Sequence, residues 1–406
     1  MTTGAEPPIV VVGIGADGLE GLSAGARGEV ADAQVVLGSE RQLALIGEHA
    51  GELIRWPSPL LSALPDLVES LRGRRVCALA SGDPMFYGLG STLARLVGPD
   101  RIRVIPHPSS VSLACARLRW PVQDVVVVSL VARPMARLTA AIGPNRRLLV
   151  LTADAGGPGE VARELSLRGY GASEVTVLEQ LGGTGERVRA ATAGRWEVPP
   201  GDPLAIVAVR CLADPDTEPL SPVCGLPDDT FENDGQLTKR EIRAVTLARL
   251  GPLPGQLLWD VGAGAGSVAL EWLRADPTCR AIAIESNQER ADRIGRNAAR
   301  LGVTPEIVLG AAPAALAGLE TPDTVFVGGG VSRDGVVQSG WEALRPGGRM
   351  VVNAVTLEAE AVVAAWYARV GGSLTRIDIH RAGPIGGLTG WRPAMPVTQW
   401  VARKEA

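Results

Sequence analysis

Three glycines at alternate positions, Gly262, Gly264 and Gly266, follow the apolar run Leu257-Leu258-Trp259-Asp260-Val261 and lead into Ser267-Val268-Ala269-Leu270. Residues without a Cβ let the chain turn tightly and let a ligand press against the backbone. A second apolar run, Ile282-Ala283-Ile284, ends in Glu285, a carboxylate suited to accepting both hydroxyls of a ribose. Ala263 and Ala265 complete the loop, and Ala265-Gly266-Ser267 open a helix whose free backbone N–H groups can receive an anion. These residues describe a nucleoside-binding edge of an α/β sheet. A merely tight turn, with Glu285 as a solvated acid, is the bland alternative.

Spacing separates the candidate cofactors. A dinucleotide fingerprint reads G-x-G-x-x-G/A, and counting from Gly262 puts Ser267 at its last position. The G-x-G-x-G pattern fits S-adenosylmethionine-dependent methyltransferases instead, with NAD kept as the alternative. Small residues at Gly310-Ala311-Ala312 end a further strand where adenine could approach, although small residues also end strands for packing. Upstream, Thr238 stands three residues before Glu241, the spacing of a capping box, and Lys239 beside it is one of two lysines in the chain. A helix start carrying these groups can equally line the cofactor cleft.

In the first half, Ile9-Val10-Val11-Val12 runs into Gly13-Ile14-Gly15-Ala16-Asp17-Gly18, and Val35-Val36-Leu37-Gly38-Ser39 stands where an acidic ribose partner would be expected. Gly82-Asp83-Pro84 follows Ala78-Leu79-Ala80-Ser81. Proline fixes φ and holds the preceding residue extended, so this stiff turn can present Asp83 and main-chain groups to a ligand, or simply be a turn. Ser109 and Ser110 follow His107-Pro108 after another strand. His107 can act as a proton carrier or be a packed histidine, and no neighbour in sequence marks an acid partner.

The elements that must position these motifs alternate strand and helix. Strand candidates are Ile9–Val12, Ala33–Leu37, Arg75–Leu79, Arg101–Ile105, Val125–Ser129, Leu148–Leu151, Glu174–Leu178 and Ala205–Val209. After a Pro- and acid-rich stretch they resume at Gln256–Val261, Arg280–Glu285, Glu306–Leu309, Thr324–Val327, Arg349–Asn353, Ser373–Ile379 and Pro396–Ala402. Alternation predicts a mainly parallel sheet in each half. The expected organisation is a domain over 1–212, a linker over 213–230 and a second domain over 231–406. With 406 residues the chain suits two domains.

Composition narrows the classes. The net charge is −4 and the pI about 5.6, so no overall basic field points to nucleic acid or an anionic membrane. Five cysteines form no C-x-x-C pair and three histidines lie far apart, so no metal site is expected. No apolar run of about 18 residues predicts a membrane span, and no signal peptide is evident; the expectation is a cytoplasmic protein. An RNA methyltransferase would keep the Gly262 loop but should bring a basic patch or aromatic platform.

Thr238-Lys239, the glycine loop, Glu285, Gly310-Ala311-Ala312 and Val327-Gly328-Gly329-Gly330 resemble the decarboxylating precorrin methyltransferase domain of cobalamin biosynthesis, over about Asn233 to Val401. This resemblance implies a Rossmann-like class I methyltransferase domain in which Thr238, Gly262, Ala263, Gly264, Ala265, Gly266, Glu285 and Ala312 bind S-adenosylmethionine, while Gly328, Gly329 and Gly330 leave room for a tetrapyrrole. The Gly13 loop, Gly38-Ser39-Glu40-Arg41, Gly82-Asp83-Pro84 and the segment around Ser109 resemble the tetrapyrrole methylase family (class III methyltransferases) from about Pro8 to Leu212, implying a two-lobed domain with S-adenosylmethionine held by Gly13, Gly15, Gly82, Asp83, Ser109 and Ser110. Ala16-Asp17 departs from the commoner Gly-x-Gly-Pro-Gly, and His107-Pro108 replaces a frequent Gly-Ile. Gly182-Gly183-Thr184-Gly185 is a turn also carried by the branch acting on carbon 5.

Together the two resemblances imply methylation of a precorrin at carbons 5 and 15, loss of a ring C acetate carboxyl as carbon dioxide, one S-adenosylmethionine site per domain, and a homo-oligomer, for which a tetramer is one option. A degenerate first domain, with one cofactor per chain, is the competing expectation. For the substrate carboxylates the candidates are Arg41, Lys239, Arg240, Arg243 and Arg392, each alternatively an ordinary surface cation. The Gly383–Pro393 stretch is either a lid or a long hairpin.

Overall fold

The computed structural model describes residues 6–405. Its compact units are divided at Thr217/Glu218, with the short segment Met135–Ala140 grouped with the second unit.

The first unit contains two five-stranded sheets. One is built from β1 (Ile9–Ile14), β2 (Val35–Gly38), β3 (Glu52–Arg55), β4 (Val76–Ser81) and β5 (Ile102–Ile105) in the order β3-β2-β4-β1-β5, all parallel. Val11, Val12, Leu37 and Leu79 are fully buried, as expected of strands covered on both faces. The other comprises β6 (Val125–Ser129), β7 (Arg147–Leu151), β8 (Glu174–Glu179), β9 (Arg187–Thr192) and β10 (Ala205–Arg210) in the order β6-β7-β10-β8-β9. Only β6 and β7 are parallel; the remaining pairs are antiparallel. The expectation of a mainly parallel sheet fails for this lobe. β8 turns directly into β9, and no α-helix intervenes before β10, so there is no crossover to make the strands parallel.

The second unit carries one seven-stranded sheet, from β11 (Leu257–Val261), β12 (Arg280–Glu285), β13 (Glu306–Leu309), β14 (Thr324–Val327), β15 (Arg349–Ala354), β16 (Ser373–Ile377) and, beyond the two-stranded hairpin of β17 (His380–Ile385) and β18 (Leu388–Pro393), β19 (Val397–Arg403). Its order is β13-β12-β11-β14-β15-β19-β16, with β19 antiparallel to both neighbours. The strand order reverses about β11, and the carboxyl ends of β11, β12 and β14 there are the usual ligand edge of an open α/β sheet. Trp259 and Trp272 lie in the core, as their register requires.

Part of the expected linker is scaffold. Leu226 is buried, and Glu271 accepts the backbone N–H groups of Gly225 and Leu226. Arg243 on the helix Arg240–Leu250 is fully buried: it donates to Glu271 at 2.6 Å, Asp228 at 3.2 Å and the Thr238 carbonyl at 2.6 Å, also bonds the Leu226 carbonyl, and stacks over Phe231. Arg243 is therefore not available to contact substrate, because its donors are spent on holding this segment to the domain.

Candidate functional site

In the second unit the strand ends enclose a cleft of about 820 Å3, within the range of roughly 300–1,000 Å3 typical of small-molecule sites. Gly262, Ala263 and Gly264 line it together with Thr238, Lys239, Glu285, Ala312 and Gly328–Gly330. Gly262 has φ +72°, and a Cβ there would meet Gly329 Cα at 2.7 Å; the two glycine segments lie against each other because neither carries a side chain. Glu285 is held by the loop it faces. Oε2 accepts Gly264 N–H at 2.8 Å and Oε1 accepts Asn287 N–H at 2.9 Å. Each carboxylate oxygen retains acceptor capacity for a ribose hydroxyl. These are features that fit S-adenosylmethionine.

Ala265 and Gly266 do not reach the cleft. Gly266 donates its N–H to the Ala263 carbonyl at 2.8 Å, and a Cβ on it would strike Ile294 at 2.8 Å; the pair closes the turn and packs the helix Ser267–Ala275. Asp260 caps that helix from outside, its Oδ2 accepting Ala269 N–H at 3.0 Å, while Oδ1 is buried with no hydrogen-bond partner among the described residues. Burial pushes the Asp260 carboxyl up to about 7; the Ala269 N–H works against the rise and the Glu285 charge adds to it. Nor does the Thr238–Glu241 capping box form: the helix N-cap is Lys239, without a side-chain cap. Arg392 lies on the exposed β17–β18 hairpin, where it bonds the Pro384 carbonyl, and does not line the cleft. Its cross-strand neighbour Arg381 does. The Gly383–Pro393 stretch is therefore a hairpin, turning at Gly386-Gly387 with Gly386 at φ +58°.

In the first unit a narrower cleft, about 100 Å3, is lined by residues from both sheets, including Gly15, Arg41, Gly82, Ser110, Leu178 and Ile206. Gly13 is a packing position: a Cβ on it would meet Gly82 O at 2.1 Å and His107 N at 2.7 Å. Asp83 turns back on its own loop, accepting Met85 N–H at 2.9 Å, and Ser109 caps the helix Ser110–Leu118 by accepting Ser112 N–H at 3.1 Å. Gly13, Asp83 and Ser109 thus shape the cleft without lining it. Arg41 donates to Ser81 Oγ at 2.8 Å; burial lowers its guanidinium pKa, and the Asp202 charge opposes that. His107 does have an acid neighbour. Its Nε2 lies 3.4 Å from Asp17 Oδ1, so the two departures from the commoner loop pattern meet each other.

Residues 8–196 match the family of Tetrapyrrole (Corrin/Porphyrin) Methylases, and residues 229–404 match the Precorrin methyltransferase domain. A Sinorhizobium protein named precorrin-6Y C(5,15)-methyltransferase (decarboxylating) is 50% identical over 396 residues, spanning 97% of this chain and 96% of that protein. The chain belongs to the precorrin-6Y C(5,15)-methyltransferase (decarboxylating) family. Shorter relatives match in part: a Salmonella typhimurium cobalt-precorrin-7 C(5)-methyltransferase is 32% identical over 44% of this chain and 88% of its own, and a Saccharolobus solfataricus protein named probable cobalt-precorrin-6B C(15)-methyltransferase (decarboxylating) is 37% identical over 33% and 71%.

In this member of the family the cleft of the second unit contains cations that motif reading missed. Arg290, Arg333 and Arg381 join Lys239 on its wall, against Glu285 as its lining carboxylate. Arg290 is paired with Asp234 at 2.8 Å and Arg381 with Glu241. Lys239 and Arg333 make no ion pair or side-chain hydrogen bond among the described residues. The signal for Arg333 was present, since it stands three residues beyond Gly330; the Arg381 signal was not, because a hairpin register places it.

Proposed function

We propose that the chain is a bifunctional S-adenosylmethionine-dependent methyltransferase that methylates precorrin-6Y at carbons 5 and 15 and releases the ring C acetate carboxyl as carbon dioxide, giving precorrin-8X. The observation that carries this reading is the charge of the larger cleft. A protein of net charge −4 surrounds a nucleoside-shaped edge with Lys239 and Arg333, which have no ion-pair partner among the described residues, and this suits a substrate bearing many carboxylates.

We assign carbon 15 methylation and decarboxylation to the second unit and carbon 5 methylation to the first. Support comes from the family matched by each half and from relatives whose names divide the two activities. Bound S-adenosylmethionine supplies an electrophilic sulfonium methyl, whose bonding pair stays on sulfur as the new carbon–carbon bond forms. The residues of the chain position it: Glu285 takes the ribose hydroxyls, and Gly262–Gly264 let the backbone close on it. Lys239 and Arg333 anchor carboxylates that are retained. A cation on the departing acetate would stabilise the ground state, so that group belongs against the apolar wall of Val336, Val355, Ile379 and Met395. Electrons of the breaking carbon–carbon bond then pass to a protonated ring nitrogen of the substrate. No metal is required.

The reading extends to one cofactor site in each unit, a cytoplasmic location and a homo-oligomer. Buried reduced cysteines Cys77, Cys115, Cys211 and Cys279 support the location, and the exposed Ile385, Leu388 and Trp391 of the hairpin support assembly. Among the described residues no helix is long and apolar enough to cross a membrane. The 100 Å3 volume of the first cleft favours a second reading, one cofactor per chain. Mass analysis of the product from precorrin-6Y decides the activity: two methyl groups gained with one carbon dioxide lost supports the proposal, and a single methylation without decarboxylation refutes it. Calorimetric titration with S-adenosylhomocysteine counts the sites.

A further inference from the structure

Beside the first cleft, the loop leaving β4 passes from Gly82, which lines the cleft, to Met85, Phe86 and Tyr87. The three side chains are 49%, 38% and 48% exposed, an unusual outlay of apolar surface on one turn. The turn is internally braced, with Phe86 N–H donating to Asp83 O at 3.1 Å and Gly90 N–H to Pro84 O at 2.9 Å. Tyr87 is held at φ +52°, a conformation that is strained for a bulky residue and persists where the surroundings over-determine it. Its ring meets Phe86 edge-on, with centroids 5.0 Å apart and planes at 81°.

A second loop approaches from the other lobe of the same unit. It leaves β6, turns through Ala132 at φ +52°, exposes Val131, and lays the Arg133 guanidinium over the Tyr87 ring at 4.7 Å. The Arg133 side chain makes no ion pair or hydrogen bond among the described residues. Its planar fork is consequently available for a carboxylate.

We propose that Phe86, Tyr87 and Arg133 form a recognition site for the tetrapyrrole substrate at the first cleft, the exposed aromatic side chains packing against the macrocycle and the guanidinium binding one of its peripheral carboxylates. This rests on the reading of the chain as a precorrin methylase. The occupant follows from the chemistry: the patch offers exposed apolar and aromatic side chains beside a cation with no carboxylate partner among the described residues, and a carboxylate-rimmed macrocycle presents the complement. The recognition site is continuous with the Gly82 turn, so a ring bound there lies beside the methyl-donor cleft. Because the two loops come from different sheets, one substrate spanning them also ties the lobes together.

The test uses the full chain with precorrin-6Y and S-adenosylmethionine, comparing wild type with Tyr87→Gly, Phe86→Ala, Arg133→Ala and Arg133→Lys. Glycine tolerates φ +52°, so Tyr87→Gly removes the ring without straining the fold. The expected result is a KM for carbon 5 methylation raised roughly tenfold in the first three variants, with partial recovery in Arg133→Lys. S-adenosylhomocysteine affinity and sedimentation stay at wild-type values, and product accumulates with one methyl added and carbon dioxide lost. Unchanged kinetics in all variants would overturn the recognition site alone. Lost S-adenosylhomocysteine binding would also overturn it, by placing these residues at the cofactor, and altered sedimentation would do so by making the patch a subunit contact. A wild-type chain that leaves precorrin-6Y unmodified sinks the functional reading and the recognition site with it.

Discussion

The two clefts are built by different means. In the second unit a single sheet edge provides everything: a glycine loop, a carboxylate fixed by that loop, and about 820 Å3 walled partly by cations. In the first unit two sheets must share the work, the lining contains one cation, Arg41, and the opening is about 100 Å3. A site on one edge is formed as soon as its sheet folds. A site between two lobes depends on how far their loops stand apart, and here Gly183 packs onto Ala16 at the mouth, where a Cβ would lie 2.8 Å from the Ala16 Cβ. We expect the second site to be the preformed one and the first to widen on binding.

The comparison breaks most visibly at Glu271. Its removal in Glu271→Ala leaves Arg243 buried without its main partner, which should destabilise the second unit by about 3–5 kcal/mol. Calorimetry should show one transition moving and the other, belonging to the first unit, unmoved. If both shift equally, the units are not independent in stability.

Glu285→Ala is next in size. Losing charged hydrogen bonds to two hydroxyls should weaken S-adenosylhomocysteine binding in the second cleft by about a hundredfold. One tight site should remain, and the tetrapyrrole product should gain the carbon 5 methyl alone. No remaining site would mean that the first cleft binds no cofactor.

A smaller effect sharpens the contrast in charge. Lys239→Ala and Arg333→Ala should each raise KM for carbon 15 methylation about five- to tenfold, an effect that added salt diminishes, with carbon 5 methylation unaffected. Equal losses at both carbons would show that the cations act on the whole molecule's field instead of the second cleft.

A last contrast concerns pH. Asp260 has a folded pKa near 7 against an ordinary value of 3.8, so the folded state holds its proton more tightly than the unfolded chain does. Its contribution is greatest at low pH and is lost as pH rises from about 4 to 7. Asp260→Asn should remove that decline, read as the difference between wild-type and variant melting over this window. The first unit ends its corresponding strand in Val12-Gly13-Ile14 and offers no such carboxylate, so only the second transition should respond.

Much of this was legible in residue order. Strands β12 and β14 fall where hydrophobic runs between turn residues place them, because central parallel strands are apolar on both faces. β3 and β9 escaped notice since they are edge strands, largely exposed and lacking an apolar alternation. The Gly262 loop and Glu285 were readable because backbone freedom and a strand-end acid are local properties. Arg243 misled for the opposite reason: a cation near a ligand motif looks the same in sequence whether it meets a substrate or Glu271, 28 residues away.

Sequence alone determined the two unlike halves, the methyl-donor chemistry of the second and the family to which the chain belongs, since these reside in residue types at short spacing. Tertiary structure decided which groups share a cleft. It sent Arg243 and Gly266 into the scaffold, brought Arg333 and Arg381 to the wall, paired His107 with Asp17, and set Arg133 over Tyr87. Those outcomes depend on contacts between distant segments, whose geometry is settled by packing and burial and leaves no local signature in the chain.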